Sequence, residues 1–239
     1  MIYLFEINLT INTNPMRTIK LTFFLIITVL LMPSSVEAQG KSEKNKASRK
    51  QKTEKIELFN GKNLKNWVFH LKDSSVDPAT VFNVKDGIIQ IKGDPFGYMR
   101  TEKSYSDYKL HVEWVWPVEA TNSGVFVHAQ QPDGIWPKCV ECQLMAGNAG
   151  DFVCMNKAEM SEHTNKESIL VKKSGESSEK PAGEWNTMEV LCKGNTIEVY
   201  VNGILQNKAT NVNVSEGSIC LQSEGKDIHF RNVFLTKLK

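Results

Sequence analysis

Glu141, His128 and Glu224 are the side chains best suited to move protons in this chain. A histidine or a lone carboxylate is a sufficient general base when the proton it removes is already acidic, and a second carboxyl can protonate a leaving group. Asn122, Lys138, Gln143 and Gln222 supply the amides and the cation that would hold hydroxyls or a developing oxyanion. Trp136 is an aromatic platform of the kind that stacks on C–H faces. Asn122-Ser123-Gly124 sets an amide and a hydroxyl beside a glycine, which lets another group come close to the backbone. His111, Glu113, His128 and Glu141 are of metal-ligating type, and Cys139-x-x-Cys142 is half of a zinc spacing. No second cysteine pair and no His-x-x-x-His follows, so a divalent metal is compatible but no spacing demands one, and no cofactor is expected.

These residues sit on short β-type runs separated by turn signals. The runs include Val81–Val84, Gly87–Ile91, Tyr108–Trp116, Gly124–His128, Thr187–Cys192, Thr196–Val201, Ser218–Gln222 and Ile228–Leu235. Lys85-Asp86-Gly87, Lys193-Gly194-Asn195 and Asn202-Gly203 are hairpin turns. No amphipathic helix of useful length is evident, so the expected fold is an all-β sandwich or barrel of antiparallel strands. Residues 156–179 form a long polar loop. Alternation gives four strands one apolar face and one mixed face: Lys109/His111/Glu113, Phe126/His128, Glu141/Gln143 and Cys220/Gln222/Glu224. If the mixed faces converge they make a polar surface suited to sugars; if not, they meet bulk water.

Arg17 and Lys20 precede an apolar run from Leu21 to Met32, then Pro33 and the small-x-small pattern Val36-Glu37-Ala38. That is a secretory leader over residues 1–38, with Met16 the better start, and its run is too short to span a bilayer. The mature chain is expected to begin at Gln39, to be exported to the periplasm or medium, and to contain no membrane span. Residues 39–55 hold seven basic and two acidic side chains and few apolar ones, a solvated linker. Residues 56–239 then carry twenty basic and twenty-three acidic groups, a poor match for nucleic acid. All five cysteines fall in this part; an oxidising compartment permits a disulfide, and the odd count leaves at least one thiol.

The run Glu57-Leu-Phe-Asn-Gly-Lys-Asn-Leu-Lys-Asn-Trp67 resembles the opening of the bacterial 3-keto-disaccharide hydrolase family. Asp86-Gly87, Tyr108–Glu113, Asn122–Phe126, Glu141-Cys-Gln143, Gly183–Thr187, Val201–Gly203, Cys220–Gln222 and Phe230–Val233 follow in the family's order, so the resemblance spans about residues 56–239. It implies a concanavalin-like jelly roll of two antiparallel sheets. It also implies an exported enzyme that cleaves glycosides already oxidised to a 3-ketone, as lyase, hydratase or net hydrolase. Three positions depart from the pattern: His128 replaces a frequent Arg, Met145-Ala146 a frequent Asp, and Ser223-Glu224-Gly225 a frequent His-Gly. Retaining glycosidases of this fold carry Glu-x-Asp-x-Glu, whereas Glu141-x-Gln143-x-Met145 keeps one acid, so double displacement is disfavoured. Glu141 or His128 is then the expected base, Glu224 the next acid/base, and Arg231 a partner in a structural ion pair. Trp185 is expected in the core. A non-catalytic carbohydrate-binding jelly roll is the alternative, and a structural surface module the third class.

Overall fold

The computed structural model describes residues 54–238, together with an isolated antiparallel pair, β1 (Glu6–Leu9) and β2 (Leu21–Phe24). The rest of the expected leader and linker lies outside the described residues. Lys55, the last residue assigned to the linker, already belongs to β3 (Lys55–Glu57).

Two antiparallel sheets make the domain. One has the order β12-β11-β10-β9-β16-β7-β4, formed from β4 (Trp67–Leu71), β7 (Gly97–Thr101), β9 (Gly124–Ala129), β10 (Cys139–Gln143), β11 (Phe152–Met155), β12 (Leu170–Val171) and β16 (Ser218–Ser223). The other has the order β15-β14-β13-β8-β17-β6-β5, formed from β5 (Phe82–Lys85), β6 (Ile88–Ile91), β8 (Tyr108–Val115), β13 (Asn186–Lys193), β14 (Thr196–Val201), β15 (Ile204–Ala209) and β17 (Ile228–Lys237), with β3 pairing along β17. Asp86-Gly87 and Asn202-Gly203 turn their hairpins with positive φ at both central residues, +52° and +76°, then +50° and +80°. That geometry matches strand twist and explains the Asx-Gly pairs.

Alternation is clean in the second sheet: Met188, Val190 and Cys192 of β13 and Ile197, Val199 and Val201 of β14 point into the sandwich while their neighbours meet water. The first sheet is buried on both faces along β9, β10, β11 and β16. Its inner face gives Val125, Val127, Val140, Cys142, Ile219 and Leu221 to the main core. Its outer face carries a second apolar cluster of Tyr98, Phe126, Cys139, Val153, Met155 and Cys220. A strand apolar on both sides loses the period-2 signature, which is why β11 is not legible as a strand in the sequence. The 156–179 segment is likewise knitted in. It contains β12, Glu162 accepts from Thr210 N and Oγ1 (2.8 Å each), and His163 lies between Glu159 Oε2 (3.1 Å) and the Ser168 carbonyl (2.6 Å).

All five cysteines are buried free thiols, so the disulfide that export would permit is not formed.

Candidate active site

Strand register lays out the outer face of the first sheet as a grid. Glu141 pairs with Phe126, Phe126 with Cys220, and Cys220 with Arg100. The next row outward is Gln143, Gly124, Gln222, Tyr98 and His70. A third row, beyond the strand ends, holds Met145, Asn122, Glu224 and Phe96 in the same phase. Its backbone contacts are Leu144 N to Ser123 O and Ala146 N to Thr121 O, both 2.9 Å, and Lys72 N to Phe96 O at 2.8 Å.

The first two rows and the third meet around Glu141. Its side chain lies across Gly124, where an added Cβ would stand 2.1 Å from Oε1 and 2.7 Å from Cδ. The glycine of Asn122-Ser-Gly124 is thus the space that the carboxyl occupies. Ser123 ties the same turn to β16 by donating to the Gln222 carbonyl at 2.9 Å. Glu141 is only 2% exposed, and its Oε1 is buried with no hydrogen-bond partner among the described residues. Burial first, and the charge of Glu224 second, push its carboxyl well above the ordinary range and favour its neutral, proton-bearing form. Glu224 is half-buried; burial raises it too, but the amides of Asn122 and Gln222 lie against it and draw it back. Asn122 Oδ1 and Gln222 Oε1 are likewise buried without partners among the described residues. Gln143 Oε1 accepts from Leu144 N and Met145 N (3.0 Å each), which leaves its amide N–H groups as the donors it offers. A proton-bearing carboxyl, a second carboxylate, two amide carbonyls and one amide donor therefore share one small region. Unsatisfied buried acceptors cost roughly 1–3 kcal/mol each, and a ligand rich in hydroxyls satisfies them.

The structure brings together Asn122, Glu141, Gln143, Gln222 and Glu224, and it takes His128 out of that group. His128 is the main correction. Strict alternation puts it beside Phe126 on the outer face, but a bulge in the β9–β16 pairing, with His128 at φ +56°, turns it inward. There it is fully buried, its ring edge-on to Tyr108 at 5.6 Å and its Nδ1 3.1 Å from the Val214 carbonyl. Burial pushes its pKa down to about 4, and it cannot serve as the base beside Glu141. Lys138 precedes β10 and alternates out of phase with Cys139 and Glu141; its carbonyl closes the 130–138 loop by accepting from Gln130 N at 3.0 Å. Trp136, on that loop, packs on the apolar cluster that includes Phe126 and Cys139.

The four mixed faces do not converge either. Those of β9, β10 and β16 are neighbours, but Lys109, His111 and Glu113 of β8 lie on the outside of the opposite sheet. Glu113 there accepts from Arg231 Nε and Asn232 Nδ2, 2.7 Å each, the structural ion pair expected for Arg231. Trp185 lies partly exposed under Arg231, 3.9 Å from its ring centroid to the guanidinium carbon, and is not core. His111, Glu113, His128 and Glu141 thus occupy three different regions and cannot jointly hold a metal ion.

The sequence gives no hint of what closes the inner rows. Asp133 is gripped by Arg100 through Nε (2.7 Å) and Nη2 (2.8 Å), and Tyr98 Oη donates to the Gly134 carbonyl (2.9 Å). These contacts pin the 130–138 loop over the row that begins at Glu141. They join residues more than thirty positions apart, so no local motif announces them.

Residues 54–236 match the model of the 3-keto-alpha-glucoside-1,2-lyase-like domain family. Among solved structures, a protein from Parabacteroides distasonis assigned as a glycosyl hydrolase is 22% identical at a TM-score of 0.59, covering 77% of this chain and 94% of its own. Bacillus licheniformis beta-glucanase is 14% identical at 0.54, covering 78% and 98%. The carbohydrate-binding module CBM66 of Bacillus subtilis is 11% identical at 0.52, covering 70% and 93%. At such identities these likenesses establish the jelly-roll sandwich, a fold that here hosts enzymes and a binding module alike. No protein of curated function matches the sequence.

Proposed function

The chain belongs to the 3-keto-alpha-glucoside-1,2-lyase-like family, and from that premise we propose that Glu141 and Glu224 open the glycosidic bond of a sugar already oxidised at C3. The ketone acidifies the hydrogen on C2. Glu224, the more exposed and amide-supported carboxylate, removes that proton, while the neutral Glu141 donates its own to the departing oxygen on C1. The C1–O bond breaks as the C1–C2 double bond forms, and Gln143 N–H steadies the negative charge that builds on O3. Asn122 Oδ1 and Gln222 Oε1 accept from sugar hydroxyls. Addition of water across the resulting enone runs the same proton transfers backwards: ionised Glu141 takes a proton from the water that joins C1, and Glu224 returns one to C2. The net outcome is hydrolysis, with both carboxyls restored.

The observation that carries this reading is the buried, partnerless carboxyl of Glu141 held against a second carboxyl of lower burial, which divides acid from base by environment. We read residues 56–239 as the catalytic unit, exported behind the 1–38 leader. Among the described residues no helix is long and apolar enough to cross a membrane.

The test is turnover of a 3-keto-glucoside bearing a chromogenic phenol, beside its unoxidised parent. Only the ketone should react, with a primary isotope effect on C2-deuterated substrate. Glu141→Gln and Glu224→Gln should each lose ~10²–10⁴-fold in rate. Activity should fall in acid as Glu224 takes up a proton and in alkali as Glu141 gives one up. Equal turnover of the unoxidised parent would overturn the elimination, and sugar binding without turnover would make the domain a binding module.

A further inference from the structure

We propose that the cleft at the outer end of β4 and β7 is the leaving-group subsite and takes a second sugar ring, laid on Phe96. This rests on Glu141 and Glu224 being the acid and base.

The first argument is direction. In Glu141's own row and inward of it the outer face is filled: Phe126, Cys139 and Cys220 are fully buried, and the 130–138 loop is pinned over them by the Arg100–Asp133 pair and by Tyr98, itself buried in the second row, which donates to the Gly134 carbonyl. A substrate seated on the carboxylates extends only outward, across the third row. There the pairing of Ser223 with Gly97 sets Phe96 beside Glu224, in phase with Tyr98 and Arg100.

The second argument is the surface found at that place. Phe96 is 39% exposed, and it is the one aromatic ring among the large apolar side chains left exposed in the described residues. Next to it is a cavity of about 430 Å³ lined by Lys72, Asp73, Ser74, Asp94, Pro95 and Phe96. That volume falls within the range of small-molecule clefts, roughly 300–1,000 Å³. Lys72 Nζ stands 5.9 Å from the Phe96 ring centroid, and Asp73 Oδ1 is fixed by Ser75 N and Oγ at 2.9 and 2.6 Å. One apolar ring face surrounded by an ammonium, two carboxylates and a hydroxyl suits a sugar, which has an apolar C–H face and a hydroxyl rim. An aryl leaving group would cover those charges without pairing them.

The experiment compares two substrates with the same oxidised glucose, a 3-keto methyl glucoside and a 3-keto disaccharide, using the full chain and its Phe96→Ala and Met145→Ala variants. Phe96→Ala should lower kcat/KM for the disaccharide roughly three- to ten-fold, the loss of one stacking contact, and leave the methyl glucoside within about two-fold. Met145→Ala, at the opposite end of the third row, should leave the ratio unchanged. Equal losses on both substrates, no loss on either, or a selective loss in Met145→Ala would overturn the subsite. Saturation-transfer NMR with the unoxidised disaccharide keeps this separate from the chemistry: saturation should reach both rings in the wild type, and Phe96→Ala should lose it from the leaving ring alone. If the wild type turned over neither keto substrate, the elimination would fail while the NMR result still decided the subsite. No saturation of the leaving ring in the wild type would refute it.

Discussion

Gly124→Ala tests whether the space left by a missing side chain is what positions Glu141. The glycine does not occupy the left-handed region, so an alanine backbone fits; the conflict is the Cβ, 2.1 Å from Oε1, 2.7 Å from Cδ and 2.8 Å from Cγ of Glu141. To reach a tight contact of about 3.4 Å, Oε1 must retreat by roughly 1.3 Å. Overpacking of a filled interior costs about 1–3 kcal/mol, offset in part by the ~0.5–1 kcal/mol that alanine gains over glycine within a strand. The net loss should lower Tm by about 2–4 °C per kcal/mol in a domain of this size. A displacement near 1 Å of the reacting carboxyl should cost on the order of 10²-fold in kcat/KM. A double-mutant cycle with Glu141→Ala isolates the cause. With the carboxyl removed, Gly124→Ala should be neutral or slightly stabilising, so the coupling between the two positions should be about 1–3 kcal/mol. If Gly124→Ala destabilised the domain equally in both backgrounds, the glycine would serve some other purpose and the packing argument would be wrong.

Two further outcomes follow from groups outside the reacting pair. His128 is neutral in the fold down to about pH 4 and takes up its proton near 6.5 when unfolded, so stability should fall as pH drops from 6.5 towards 4. The full difference is about 3 kcal/mol; His128→Asn, which tolerates the positive φ, should flatten that dependence in guanidinium titrations, and parallel wild-type and variant curves would refute the assignment. Asp133→Asn should weaken the grip of Arg100 on the 130–138 loop by roughly 1–3 kcal/mol and speed hydrogen exchange there while β13 and β14 stay protected; unchanged exchange in the loop would mean the pair does not hold it.

The chain's own order of residues settles much of this molecule. Alternation in Asn186–Lys193 and Thr196–Val201, with Gly194-Asn195 between them and Asn202-Gly203 after, gives antiparallel hairpins, because strand phase and turn geometry are properties of adjacent residues. The motifs of the family were equally plain, and so were the two carboxylates and three amides that meet in the site. What only the tertiary structure decided is which faces share a sheet and where phase breaks. Lys109, His111 and Glu113 alternate just as Glu141 and Gln143 do, yet they lie on the opposite sheet, since partner choice depends on strands far away in sequence. A single inserted residue at the β9 bulge carries His128 through the sheet into the core, which no period-2 count can register. The hold of Glu141 on its proton is of the same kind: it comes from burial across Gly124 and from Glu224, supplied by another strand, and an electrostatic environment belongs to the packed fold and not to any stretch of chain.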